Sequence, residues 1–137
     1  MTIDWDSSLE TGVAEVDADH RNLVRLVNDL DKMLSQGVDS TRFGSVIDTL
    51  IDYAENHFRL EEEMLAQLGY PDIADHAESH VGFAHQLGAM VAGCIIDPGP
   101  ASIARLRDHL HTWLIDHILR EDMRFAPFVR ERLNQKP

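Results

Sequence analysis

His57-Phe58-Arg59-Leu60-Glu61 sets a histidine and a carboxylate one helical turn apart, within a stretch from Ser45 to Leu68 that holds no proline or glycine. At about 100° per residue, positions i and i+4 share one face of a helix. The other residues on that face are apolar. Phe43, Val46, Ile47, Leu50 and Ala54 precede the pair, and Met64 and Leu68 follow it. The helix therefore points an imidazole and a carboxylate into a core. A buried carboxylate is costly unless it is paired or binds a metal. The rest of the chain must supply partners.

Asp39-Ser40-Thr41 offers an N-cap for this helix, and Gly69-Tyr70-Pro71 ends it after Leu68. Upstream, Asp17 reads as the N-cap of an earlier helix with the apolar stripe Leu23, Val24, Val27, Leu30 and Leu34. His20 lies on that stripe, in the first turn, and Gly37 is the stop. Downstream, a helix from about Asp72 carries Ile73, His76, His80, Phe83, Leu87, Met90 and Cys94 on one face. Asp97-Pro98-Gly99-Pro100 breaks it. A last helix from about Ala101 lines up Ile103, Leu106, Leu110, Trp113, Leu114 and His117, followed by Glu121-Asp122. Pro127 is expected to interrupt it, leaving a short helical turn and a frayed end.

Four amphipathic helices with short connections predict an all-α, antiparallel up-down-up-down four-helix bundle. The expected organisation is a single domain over 1–137. It has an N-terminal arm (1–16), the bundle (17–122) and a short C-terminal helical tail (123–137). In that topology the start of the first helix, the end of the second, the start of the third and the end of the fourth all lie at one end. His20, His57, Glu61, His76, His80, His117 and Glu121 or Asp122 thus share a layer. So many imidazoles and carboxylates in an apolar core cannot stay unpaired. Seven ligands exceed one tetrahedral zinc, and they suit two metals with shared carboxylates. Imidazole with carboxylate suits iron, among other first-row metals.

Composition narrows the alternatives. A formal charge of −12 argues against nucleic acid, and the lone Cys94 excludes an intramolecular disulfide or a Cys-based zinc site. Eight histidines is a high count for 137 residues. No apolar run nears the length of a membrane span and no signal-peptide pattern opens the chain, so a soluble, cytoplasmic monomer is expected.

The ordered pieces resemble the hemerythrins, specifically the single-domain bacterial ones. The pieces are His20, then His57-x3-Glu61 within His-Phe-Arg-Leu-Glu-Glu-Glu-Met, then His76-x3-His80 followed by Phe83, then Trp113-x3-His117-x4-Asp122. Trp5 and the Val16-Asp17 approach to the first histidine match as well. Members of that family are themselves standard examples of the up-down bundle.

The resemblance implies a non-haem centre of two iron ions (Fe2+/Fe3+) with an oxo or hydroxo bridge. His76, His80 and His117 would hold one iron, His20 and His57 the other, and Glu61 and Asp122 would bridge them. O2 would bind reversibly at the iron with two histidines. Leu23, Phe58, Trp113 and Leu114 would form an apolar O2 pocket there. The implied role is oxygen storage, delivery to an oxidase or oxygenase, or sensing, and not catalysis. The alternatives are a di-iron enzyme or sensor consuming O2, peroxide or nitric oxide, and a metal buffer. Ferritin-like oxidases carry carboxylate-rich sites with Glu-x-x-His pairs, whereas this chain is histidine-rich.

Helical spacing alone prefers Glu121, because i+5 swings about 140° from His117's face. The family pattern takes Asp122, which requires a π-type bulge or an early helix end after His117. His85, His109 and His111 read as surface residues, Glu62 and Glu63 as solvated, and Cys94 as a small buried hydrophobe. Asp31 falls near the inner face of the first helix, with only a local hydrogen bond to account for it.

Overall fold

The computed structural model describes residues 3–37, 39–97 and 99–134, and within them leaves out the side chains of Ser40, Ile118 and Leu119. Met1 and Thr2 of the expected arm, Pro98 of the expected break and the end of the tail lie outside the described residues. The helices are α1 (Ala14–Gln36), α2 (Ser40–Leu68), α3 (Ile73–Ile96), α4 (Pro100–Asp116) and α5 (Met123–Asn134). A single 3-10 turn, Ser7–Leu9, precedes them, and a π-helical segment, His117–Asp122, joins α4 to α5. Helix α1 packs on α2 and α4, and α3 packs on the same two. The result is the four-helix bundle expected from the periodicity.

Local chemistry sets the ends of α2. Asp39 accepts from the amides of Thr41 (2.9 Å) and Arg42 (3.3 Å), and Gly69 closes the helix in the left-handed conformation, φ 74°. Pro100 opens α4 at the first position, where its missing N–H costs nothing.

Two boundaries differ from the sequence reading. Helix α1 starts at Ala14, three residues before the expected cap, with Val13 in the cap position. Gly12, at φ 83°, turns the chain into the helix early, and a Cβ there would meet Arg130 Cδ at 2.8 Å. Asp17 is a buried residue inside α1 that caps backwards. Its carboxylate accepts from Thr11 N–H (2.8 Å), Thr11 Oγ1 (2.8 Å) and Gly12 N–H (3.2 Å). Second, Pro127 does not stop the chain. Helix α5 runs through it. Pro127 is exposed, and the N–H it lacks would have reached Met123, at the seam with the π segment where the hydrogen-bond ladder already changes register.

The arm packs on the body. Ile3 is buried and exchanges backbone bonds with the Asn28 amide (2.8 and 2.9 Å), and the Arg21 guanidinium lies 5.1 Å over the half-buried Trp5 ring. Asp31 is not a local device. It pairs across the bundle with Arg107 of α4 at 2.9 Å.

The apolar interior falls into two clusters. The larger fills the bundle with residues such as Leu30, Met33, Leu50, Cys94, Leu106 and Leu110. The smaller joins Val13, Val16, Leu65 and Tyr70 to Phe125 and Val129 of α5. Helix α3 departs from the reading in one more respect, since it is long and apolar enough by length and composition to pass for a membrane span. Its outer face is mostly small, uncharged residues, while its inner face belongs to the bundle and carries His76 and His80.

Candidate metal centre

Each helix delivers its polar residues to the same layer. His20 comes from the second turn of α1, His57 and Glu61 from α2, His76 and His80 from the first two turns of α3, and His117 and Asp122 from the π segment. All seven are buried. Two overlapping groups have ligand atoms within 4.8 Å of one another: His20, His57, Glu61, His117 and Asp122, and Glu61, His76, His80 and His117.

The two carboxylates stand between the imidazoles. Glu61 Oε2 faces Nε2 of His57 at 2.6 Å and of His20 at 3.9 Å. Its other oxygen, Oε1, touches His76 Nε2 and lies 3.4 Å from His80 and 3.8 Å from His117. Asp122 Oδ2 lies 2.5 Å from His20 and 3.1 Å from His117, while Oδ1 lies 3.4 Å from His76. Glu121, the residue that regular helical spacing prefers, is half-buried and outside both groups. The π segment makes the difference, because its wider turn carries Asp122 around to the face of His117.

This chemistry calls for cations. Nε2 of His20, His57, His80 and His117, Glu61 Oε2 and both oxygens of Asp122 are buried without a well-formed hydrogen bond to the protein. Groups so placed are normally satisfied, and five imidazoles facing two carboxylates form a donor set for two first-row metal ions. The electrostatics agree. Burial works against the charged form of Glu61, yet the imidazoles of His57, His76 and His80 hold its carboxyl well below the usual range. Burial likewise opposes charge on His57, but Glu61 and Asp19 push it up to about 10. His76 is raised against its own burial by Glu61. For His117, burial wins and its pKa is lowered. In the metal-free protein a proton on His57 faces the Glu61 carboxylate.

Aromatic rings hold the imidazoles. Trp113 stacks on His117 at 4.5 Å, and Phe58 stacks on His80 at 3.9 Å. Leu23, Trp113 and Leu114 share the wall of a small apolar cavity of about 10 Å³ with Val27, Leu50, Ala54, Phe83 and Leu110. Phe58 lines a different space, an outer groove of about 220 Å³ between α2 and α3.

A model of the hemerythrin HHE cation-binding domain matches residues 11–129. The chain belongs to the hemerythrin family. Among relatives, a bacteriohemerythrin from Stenotrophomonas maltophilia is 30% identical over 131 residues, 96% of this chain and 84% of that one. A hemerythrin-like protein from Naegleria gruberi is 30% identical over 122 residues, 88% of each chain. The crystal structure of a wild-type hemerythrin superposes with a TM-score of 0.74 at 27% identity, covering 94% of this chain and 98% of that one.

Within this hemerythrin-family domain, two neighbours of the cluster escaped the sequence reading. Asp19 hydrogen-bonds His57 Nδ1 at 3.1 Å, and Glu62, read as solvated, has a carboxylate oxygen 3.5 Å from His80 Nδ1. Asp17 anchors the arm beside them. Adjacent helices entering one layer put Asp19 next to His57, a signal present in the topology and absent from any single helix. His85 is exposed as expected, whereas His109 and His111 are half-buried.

Proposed function

We propose that this hemerythrin-family protein binds O2 reversibly at a two-iron centre. His76, His80 and His117 would hold one iron and His20 and His57 the other, with Glu61 and Asp122 shared. The observation that carries this reading is the Glu61 carboxylate, which turns one oxygen toward His57 and His20 and the other toward His76, His80 and His117, with Asp122 Oδ2 between His20 and His117. When loaded, such a centre would supply two electrons for O2 to take up and return.

The chain's own residues account for reversibility. Leu23 and Leu114 are buried and, with Trp113, wall a cavity with room for about one small molecule and no polar partner for water. Trp113 also fixes the plane of His117. A dry, apolar surround withholds the protons that would release reduced oxygen, which favours storage, delivery to an oxidase or oxygenase, or sensing over O2 consumption.

The test is the visible spectrum of the iron-loaded protein, reduced without air, exposed to O2 and returned to vacuum. Charge-transfer bands that appear with O2 and vanish under vacuum are expected. A stable oxidised spectrum that does not return would establish an O2-consuming enzyme or sensor instead.

A further inference from the structure

The imidazoles of the cluster are not held alike. Four of them, His20, His76, His80 and His117, have a buried Nδ1 with no hydrogen-bond partner among the described residues. His57 is different. Its Nδ1 hydrogen-bonds Asp19 Oδ2 at 3.1 Å, across the interface between α1 and α2. For Nε2 of His57 to face a metal, Nδ1 must carry the proton, so Nδ1–H donates and the carboxylate accepts. The Glu62 carboxylate by His80 lies farther off, at 3.5 Å, and forms no such bond.

Asp19 is also where the surroundings of the cluster meet solvent. Its side chain is 24% exposed, against 1% for His57. Both line an open pocket of about 490 Å³ with Thr49, Asp52, Tyr53 and Asn56 among its walls.

We propose that Asp19 is a positioning residue for the half of the metal centre served by His20 and His57. It fixes the tautomer and ring plane of His57 and makes that imidazole a stronger donor. The inference rests on the two-metal reading above. The asymmetry has a consequence, since the half-site with two imidazoles depends on one hydrogen bond from a neighbouring helix. Loss of an outer carboxylate from a metal-bound histidine generally weakens binding 10- to 100-fold.

Iron uptake would be measured by chelator competition, together with the reduction potential and absorption spectrum, for wild type, Asp19→Ala, Asp19→Asn and Asp52→Ala. Wild type should take two irons. Asp19→Ala should lose affinity for one of the two by roughly 10- to 100-fold while the other binds as before. Asp19→Asn keeps an acceptor oxygen without the charge. Its affinity should recover most of the way, at a higher reduction potential. Asp52→Ala, in the same pocket, should match wild type.

Asp19→Ala with both irons bound at wild-type affinity and potential would overturn the proposal. So would an Asp19→Asn protein as weak as Asp19→Ala. Wild type that takes up no iron would instead overturn the metal centre itself. Circular dichroism of the metal-free variants separates loss of fold from loss of metal, and Asp19→Asn carries the test if Asp19→Ala does not fold.

Discussion

Replacing Asp122 with alanine should abolish the two-metal centre, and replacing Glu121 should not. The argument is angular. In a regular helix, five residues turn through about 500°, leaving Asp122 about 140° from His117. On a cylinder of about 5 Å radius that angle is a chord of roughly 9 Å, far beyond a coordination bond of about 2 Å. Glu121, four residues on, would lie only about 40° around the helix, a lateral offset of roughly 3.4 Å. The π segment His117–Asp122 reverses the choice, and Asp122 Oδ2 sits 2.5 Å from His20. Metal content by mass spectrometry of the native protein is the assay, with two metals expected for wild type and Glu121→Ala and at most one for Asp122→Ala. Deleting the exposed Arg120 tests the geometry separately. It removes the extra residue, restores a four-residue spacing like that of His57 and Glu61, and leaves α5 in phase. This deletion should retain both metals within about tenfold of wild-type affinity. Metal loss in Glu121→Ala with retention in Asp122→Ala, or loss in the Arg120 deletion, would refute the reasoning.

Metal affinity should rise with pH, by up to about tenfold per unit for each proton displaced, because His57, with a pKa of about 10, carries a proton that metal must expel. Flat affinity by titration across neutral pH would contradict this. In the metal-free protein the His57 pairing stabilises fully below about pH 6.5 and is lost as pH rises through about 10, so its Tm should fall over that alkaline range. Asp17→Ala should lower Tm by about 7 °C, since it strands the buried Thr11 amide at a cost of about 2 kcal/mol. Differential scanning calorimetry would show this, and no change would mean the arm is held by its apolar contacts alone. Trp113→Ala should keep both metals but speed decay of the oxygenated form roughly tenfold or more, as water reaches the cavity and His117 loses its stacked ring. An unchanged decay rate by absorption would remove Trp113 from the account.

The bundle and its polar layer were legible because periodicity and topology act together. The i+4 pairs at His57 and His76 mark inner faces, and antiparallel order gathers the ends. What sequence periodicity missed lies between elements. The early start of α1 goes with the positive-φ turn at Gly12, where Arg130 of α5 leaves no room for a Cβ, and the role of Asp31 depends on Arg107 in α4. Asp19 looks like any acidic residue in a first turn until α2 is packed against it. Pro127 misled for a related reason, since a proline is costly in a regular ladder and much less so beside a π segment. Phe58, grouped with Trp113 by pattern, packs edge-on to Trp113 at 5.7 Å and also stacks on His80, a contact that only the packing of α2 on α3 reveals.

The polar layer also explains why the apolar interior divides in two. A single helix bundle of this size would bury one continuous core. Here the seven polar residues cut across it, with Leu23, Phe58 and Leu114 on one side and Leu65, Phe125 and Val129 on the other. Phe125 reaches His76 edge-on at 5.3 Å, closing the layer from below. That lower cluster exists only because α5 continues past the π segment in the correct phase. The one irregular stretch of the fourth helix therefore serves both ends of the argument. It brings Asp122 into the cluster, and it delivers the apolar residues that seal the cluster from water. A bundle that ended at His117 would place three helices' ligands correctly and leave them open to solvent, where imidazole and carboxylate would be hydrated and held by no common geometry. Stability supplied from both sides lets the middle of the molecule remain polar.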